Sequence, residues 1–187
     1  MIRGLILAIF TLASLSVARA AEMEGVTLPD TREVAGAQMR LNGVGLRTYS
    51  ILGIRIYVAG LYLERPNNNP DAILQSAERK LLEIHFLRDV SVEDARKAWK
   101  DGFTNNCKAP CTVDPNDLAR FLEQVPSVHK GDVSLMVFSP KGAAVTFNGR
   151  PLGVIDDAHF ATTMLATFIG PEPPTKRLKR ELLGLRD

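Results

Sequence analysis

The segment Ile54–Leu63 constrains the fold more than any other part of the chain, because both of its alternating faces are apolar. One face of the predicted strand carries Ile54, Ile56 and Val58, and the other carries Tyr57, Ala59, Leu61 and Leu63. Such a strand is expected to be central and covered on both sides. The run Gln38–Arg47 precedes it across a short connection that contains Gly53, which is typical of a β-hairpin.

The remaining patterns group strands with strands and helices with helices. Further strands are predicted at Lys80–Leu87, Val133–Phe138, Ala143–Phe147 and Leu152–Ile155, the last two joined by an Asn148-Gly149 turn. Helices are predicted after Asn69-Pro70, after the capping box Ser91–Asp94, from Asp114-Pro115 to before Pro126, from Asp156 or Asp157 to Ile169, and at Thr175–Leu183. This grouping predicts an α+β fold, an antiparallel β-sheet backed by a layer of helices, in one domain over residues 21–187.

The N-terminal segment has the parts of a secretory signal peptide. Arg3 is followed by an apolar run over residues 5–10, and residues 18–20 read Ala-Arg-Ala. A basic start, a short apolar core and an Ala-x-Ala exit predict cleavage after Ala20. A transmembrane anchor would need about 18 apolar residues, and hydroxyl residues interrupt the run here. We therefore expect residues 1–20 to be a signal peptide and the mature chain to be exported.

Export changes what the net charge says about partners. The whole chain holds 23 basic and 21 acidic side chains, and the signal peptide would remove Arg3 and Arg19 but no acid. The mature chain is then formally neutral, which does not favour a nucleic-acid partner. No later stretch is long and apolar enough to predict a transmembrane segment.

Cys107 and Cys111 are the two cysteines of the chain. In an oxidising compartment such a pair most simply forms a disulfide. A redox-active pair normally has two intervening residues, whereas three separate this pair, and a zinc site needs further ligands. The histidines His85, His129 and His159 are scattered without ligand spacing. We therefore predict a structural disulfide, no metal and no cofactor.

Motifs of several common chemistries are missing from the sequence. There is no Gly-x-Ser-x-Gly nucleophile elbow, no phosphate-binding Gly-x-x-x-x-Gly-Lys motif and no His-Glu-x-x-His zinc helix. The basic cluster within Lys176–Arg180 has acids close by, so a solvated helix face is favoured over a nucleic-acid patch.

Several motifs, taken in order, resemble the chalcone isomerase family and specifically its bacterial exported branch. The hairpin carries the densest of them, Leu-Asn-Gly-Val-Gly-Leu-Arg at residues 41–47 and Ile-Tyr-Val-Ala-Gly-Leu-Tyr-Leu-Glu at residues 56–64. Similar motifs follow at residues 86–91, 130–132, 147–149, 168–170 and 178–184. The resemblance spans nearly all of the mature chain. It implies an open-faced β-sandwich with a ligand cleft between sheet and helices, and a periplasmic location.

The resemblance also implies site residues. Enzymes of the family close a phenol onto an enone, and their arginine after the Gly-x-Gly turn, which holds the phenolate oxygen, corresponds to Arg47. Their helix hydroxyl before Phe-Ile-Gly corresponds to Thr167, whereas Tyr57 replaces their hairpin threonine. Their tyrosine and asparagine on the capped helix fall at Asp94 and Asp101. Two carboxylates disfavour a bound phenolate, and the simpler interpretation makes them a capping acid and a solvated side chain.

Arg47 and Tyr57 together favour a carboxylate ligand. A guanidinium and a phenol both donate hydrogen bonds to oxygen, and non-catalytic members of the superfamily bind fatty acids with a similar pair. Alternatively, Arg47 ends a strand in water or in an ion pair, and Tyr57 is ordinary core. Hairpin register decides whether the two share a face, and Arg55 is a rival donor. Thr167 either touches the ligand or bonds its own helix backbone.

Three hypotheses about function follow. The leading one is an exported, non-catalytic binder of a small apolar acid such as a fatty acid, with Arg47, Tyr57 and Thr167 as ligand-binding residues. The rival is an isomerase of the intramolecular lyase type that acts on an enone-like substrate, with Arg47 as the candidate catalytic residue. The third is an interaction module that contacts a partner through the basic helix.

Overall fold

This computed structural model describes residues 20–107 and 111–185, so the predicted signal peptide, apart from Ala20, lies outside the described residues. The strands are β1 (Ala20–Met23), β2 (Val26–Pro29), β3 (Thr31–Val34), β4 (Ala37–Tyr49), β5 (Ile54–Leu63), β6 (Lys80–Phe86), β7 (Val133–Ser139), β8 (Gly142–Phe147) and β9 (Arg150–Ile155). The helices are α1 (Pro70–Gln75), α2 (Val92–Asn106), α3 (Pro115–Gln124), α4 (Ala158–Ile169) and α5 (Lys176–Leu182).

Strands β3 to β9 form one sheet in which neighbours in sequence are neighbours in space. Every neighbouring pair is antiparallel, and β1 pairs with β2 as a separate hairpin. An antiparallel meander of this kind needs no crossover connections. The predicted fold class, an antiparallel sheet backed by helices, is confirmed.

Both faces of β5 are covered, as its apolar alternation predicts. On one face, Leu61 packs into the main core together with Phe160 of α4. On the other face, Val58 packs with Leu28 of β2 and with Leu46 of β4. The helices therefore bury one face of the sheet, and the β1–β2 hairpin covers part of the opposite face.

Three helices begin at the caps that the sequence predicts. Asn69, Ser91 and Asp157 each accept hydrogen bonds from first-turn backbone N–H groups of α1, α2 and α4 respectively. Such caps satisfy donors that the start of a helix leaves without partners. In α2, which begins after the Ser91 cap, the centroid of the Trp99 ring lies 5.7 Å from the centroid of the Phe168 ring in α4.

The sequence did not predict β1, β2 and β3, and it ended β4 at Arg47 rather than Tyr49. Strands β1, β2 and β3 are each four residues long. Because β1 and β3 also alternate exposed with half-buried residues, their apolar signal is weak. The signal that could have found them is the pair of two-residue turns, Glu24-Gly25 and Ala35-Gly36. Both turns have positive φ at both residues, as type I′ hairpin turns require.

The structure contains the predicted disulfide, because Cys107 is bonded to Cys111 with the two Cα atoms 5.2 Å apart. None of the helices within residues 20–107 and 111–185 has the length and apolar character needed to cross a membrane.

Candidate functional site

Arg47 of β4 and Tyr57 of β5 lie directly opposite each other in the antiparallel ladder. Directly opposed residues of such a pair point to the same face of the sheet. The adjacent pair, Leu46 with Val58, packs beneath the β1–β2 hairpin, so alternation puts Arg47 and Tyr57 on the helix-bearing face. Tyr57 accordingly packs against the main core. The register that the sequence left open therefore brings both side chains to one face.

Two glycines allow α5 to lie on the strand that carries Arg47. Gly43 and Gly45 precede Arg47 on the same face of β4. A Cβ on Gly43 would lie 2.1 Å from the Glu181 carbonyl oxygen, and a Cβ on Gly45 would lie 2.8 Å from the Leu178 Cδ1 atom. Only residues without a side chain permit so close an approach. The Gly-Val-Gly segment is thus a surface on which α5 packs, rather than a nucleotide-binding turn.

The Arg47 side chain is half-buried and retains unused donors. Its Nη1 donates to the carbonyl oxygen of Thr48, and no ion pair joins it to an acid within the described residues. A guanidinium has five N–H donors in a planar fork, so others remain for a ligand. The rival guanidinium of Arg55 is instead ion-paired with Glu24 in the β1–β2 turn, with 2.5 Å between the paired atoms.

The Tyr57 hydroxyl is a neutral donor close to this guanidinium. Burial raises the pKa of the hydroxyl and the positive charge of Arg47 lowers it by less, so the net shift is upward. The hydroxyl therefore keeps its proton at physiological pH. The Tyr57 ring stands edge-on to Phe86, with the centroids 5.8 Å apart, and no other described residue forms a hydrogen bond with the hydroxyl. Packing orients this donor while leaving it available to a ligand.

Thr167 lies within α4. Its side chain is buried, and its Oγ1 donates to the carbonyl oxygen of Met164 at 2.7 Å. A Cβ added to Gly102 of α2 would lie 3.1 Å from the Thr167 Cβ, so the two helices meet closely here. Thr167 thus satisfies its own hydroxyl where two helices pack, and no hydrogen bond among the described residues links it to Arg47 or Tyr57.

The two carboxylates of α2 are exposed and engaged on their own helix. Asp94 accepts a hydrogen bond from the Ser91 hydroxyl at 3.0 Å, whereas the predicted capping box has its carboxylate accept from the Ser91 backbone N–H. Asp101 pairs with Lys97 at 2.5 Å. Neither position supplies the neutral donor that the family resemblance implies there.

Part of the basic cluster on α5 is used within the chain. Lys179 donates to the carbonyl oxygen of Gly170 at 2.8 Å, and Arg177 donates to Glu181 at 2.7 Å. The Lys179 bond joins α5 to the residue that follows α4, and the Arg177 pair lies within α5, which is consistent with a helix face that serves folding.

Two surface cavities lie away from the Arg47–Tyr57 pair. One of about 530 Å³ is bounded by β1, β4 and α5, and another of about 270 Å³ lies beside α1. Arg47, Tyr57 and Thr167 line neither of them. On the helix-bearing face, half-buried apolar side chains that include Phe86 and Trp99 pack against the core.

Sequence reasoning missed a neighbour of the disulfide. His159 Nε2 lies 4.0 Å from Cys107 Sγ and accepts a hydrogen bond from the Thr112 N–H at 3.4 Å. Within the described part of the chain, Cys107, Cys111 and His159 present ligand-type atoms within 4.8 Å of one another. Both sulfurs belong to the disulfide, so neither is a thiolate that could bind a metal. The histidine joins this group only through the packing of α4, which the linear spacing does not reveal.

The fold and the paired donors define a class of protein. It is an α+β protein whose antiparallel meander carries helices on one face, with a guanidinium and a phenol side by side on that face. The chain belongs to the chalcone isomerase-like family, whose model matches residues 20–184.

The structure is also similar to the crystal structure of a fatty-acid binding protein from Arabidopsis thaliana. The TM-score is 0.73 at 18% sequence identity, and the match covers 88% of this chain and 96% of that chain. A likeness at this level of identity is one of fold. No curated protein matches the chain in sequence.

Proposed function

We propose that this protein binds a small apolar carboxylate, such as a fatty acid, and that Arg47 and Tyr57 hold the carboxylate. The observation that carries the proposal is the direct pairing of these two residues on the helix-bearing face. Each has hydrogen-bond donors that the described residues leave unused. A guanidinium and a neutral phenol at paired positions suit the two oxygens of one carboxylate.

We place the apolar part of the ligand against the main core, on the helix-bearing face of the sheet. Phe86 and Trp99 are half-buried on that face, and we infer that an acyl chain enters by parting such side chains. Side chains at the margin of a core move at lower cost than fully buried ones. Membership of the chalcone isomerase-like family and the likeness in fold to a fatty-acid binding protein support this class of ligand.

An isomerase is the alternative, with Arg47 stabilising an oxyanion that develops on an enone-like substrate. Binding without catalysis is favoured because Asp94 and Asp101 are exposed and bonded on their own helix. An absorbance assay with a chalcone separates the two functions. A rate above the spontaneous one that Arg47→Gln abolishes would support the isomerase and contradict the non-catalytic proposal.

A fatty-acid titration followed by the fluorescence of Trp99, the single tryptophan, tests the proposed site. We expect saturable binding to delipidated protein, and we expect Arg47→Gln to weaken it about ten- to a hundred-fold, as the loss of a charge-assisted hydrogen bond implies. Arg55→Gln is the matched control, because it removes the same charge from a side chain that is paired with Glu24. Equal losses in the two variants, or no binding by the wild type, would contradict the proposed site.

We also propose that the chain is exported to the periplasm, loses residues 1–20 and then folds as one domain over residues 21–187. The signal-peptide pattern supports this, and the disulfide is compatible with an oxidising compartment. Expression of the full chain in a Gram-negative host, followed by fractionation and intact-mass measurement, tests it. A periplasmic protein that begins at Ala21 and unfolds in one transition is expected. A cytoplasmic protein that retains residues 1–20 would contradict it.

A further inference from the structure

The tip of the β4–β5 hairpin exposes three large apolar side chains among four consecutive residues. Tyr49 is 62% exposed, Ile51 is 103% exposed and Leu52 is 82% exposed, and we name these three residues the apolar tip. Hairpin turns normally use glycine, asparagine, aspartate or serine. Here only Ser50 and Gly53, both at positive φ, fit that rule. Contiguous exposed apolar side chains of this kind mark an interaction surface.

The apolar tip projects from a closed turn. The Leu52 N–H donates to Ser50 Oγ at 3.2 Å, and the Gly53 N–H donates to the Ser50 carbonyl oxygen at 3.2 Å. The backbone is thereby satisfied locally, while Ile51 and Leu52 extend outward. Tyr49 sits at the base of the tip, and tyrosine is a residue that favours the boundary between apolar and polar phases. An exposed apolar tip with a tyrosine side chain at its base fits insertion into a lipid interface.

Two guanidinium groups flank the apolar tip. Arg47 stands two residues before Tyr49 on β4. Arg88 lies on the other side of the hairpin, because its neighbour Leu87 donates a backbone hydrogen bond to the Ile56 carbonyl oxygen at 2.9 Å. Neither guanidinium forms an ion pair with an acid in the described ranges. The charge beside the tip therefore complements anionic headgroups.

Two acids, Glu24 and the neighbour of Arg88 in sequence, Asp89, are engaged with other groups. Glu24 is paired with Arg55, and Asp89 accepts the backbone N–H of Lys130 at 2.8 Å. Neither carboxylate neutralises the two guanidinium groups that flank the tip.

We propose that the apolar tip docks this protein on a lipid bilayer that carries anionic headgroups. Ile51 and Leu52 insert among the acyl chains, while Arg47 and Arg88 lie at headgroup level. This docking goes beyond the proposed function and does not depend on it. Where both hold, the docked protein presents the Arg47–Tyr57 pair at the surface from which a fatty acid would enter.

Flotation with vesicles tests the docking, without any fatty acid present. We expect the wild type to float with vesicles of phosphatidylcholine mixed with phosphatidylglycerol and less with phosphatidylcholine alone. The double variant I51S/L52S is expected to lower partitioning at least about ten-fold, because two aliphatic side chains no longer enter the bilayer. Arg88→Gln is expected to lower partitioning about five-fold on the anionic vesicles only.

Val154→Ser is the matched control, since Val154 is 69% exposed on β9, away from the tip. It should leave flotation unchanged, and thermal unfolding should show that all variants are folded. No flotation of the wild type, or an equal loss in Val154→Ser, would overturn the proposal. So would light scattering that shows a wild-type dimer which I51S/L52S converts to monomers without any vesicle binding. Fatty-acid affinity is measured separately without vesicles, so the two proposals fail independently.

Discussion

Glu83 of β6 accepts two hydrogen bonds from Arg32 of β3, from Nε at 2.9 Å and from Nη2 at 2.7 Å. The Glu83 carboxylate is only 2% exposed, and it also contacts His85 Nε2 at 2.7 Å. Alternation along β6 places Glu83 on the face opposite the main core, since its neighbour Leu82 belongs to that core. A carboxylate buried in this way is tolerated only because these donors replace water. The bond also spans from β3 across two intervening strands to β6.

Removing this carboxylate should destabilise the fold. We expect Glu83→Gln to lower the free energy of unfolding by about 1–3 kcal/mol, because a neutral amide replaces the buried carboxylate that Arg32, itself 39% exposed, and His85 bond. Glu78→Gln is the control, since its partner Arg65 is largely exposed and such surface pairs contribute little. Urea unfolding at neutral pH measures both variants. Similar losses in the two would contradict the role of burial.

Glu83 should also make stability depend on pH. Burial raises the pKa of Glu83, but the hydrogen bonds from His85 and Arg32 outweigh burial, so its pKa lies below the ordinary value of 4.5. As pH falls, the Glu83 carboxylate is therefore protonated in the unfolded chain before it is protonated in the folded protein. Its stabilising contribution is complete above the ordinary pKa and is lost as pH falls through the lower pKa of the folded state. Between about pH 5 and pH 3, the free energy of unfolding should fall more steeply for wild type than for Glu83→Gln. Parallel curves from urea titrations would show that Glu83 does not contribute.

Loss of the Tyr57 hydroxyl should weaken fatty-acid binding while leaving the fold intact. We expect Tyr57→Phe to reduce affinity about five- to ten-fold, the effect of one hydrogen bond, because the hydroxyl makes none within the described residues. A double variant with Arg47→Gln should lose less than the sum of the two single losses, since both side chains would hold one carboxylate. Strictly additive losses in the same titration would indicate separate roles.

The contact between α5 and β4 should not tolerate a methyl group at Gly43. We expect Gly43→Ala to cost about 3 kcal/mol or more, because its Cβ would lie 2.1 Å from a backbone oxygen of α5, an atom that cannot turn aside. Gly102→Ala should cost about 1 kcal/mol or less, since its Cβ meets a side chain at 3.1 Å and alanine favours a helix. Thermal unfolding of both variants measures the difference. A Gly43→Ala protein as stable as wild type would mean that α5 is not seated there.

Local signals in the sequence predicted much of the fold. The caps at Asn69 and Ser91 and the turn at Asn148-Gly149 depend on hydrogen bonds and backbone angles within a few residues, and the structure has all of them. The two apolar faces of Ile54–Leu63 predicted a central strand, and both faces are covered. The strands of residues 20–34 were missed because each is too short to carry a pattern of its own.

The sequence by itself determined the helices, the strands from β4 to β9, an antiparallel sheet backed by helices, and the family that the chain resembles. Only the tertiary structure decided that Arg47 opposes Tyr57, that the Thr167 hydroxyl bonds its own helix, and that Glu83 meets Arg32. The physical reason is that caps, turns and alternation act between near neighbours, whereas a strand register is set by the packing of the whole sheet. A slip of one residue would turn every side chain of β4 to the opposite face.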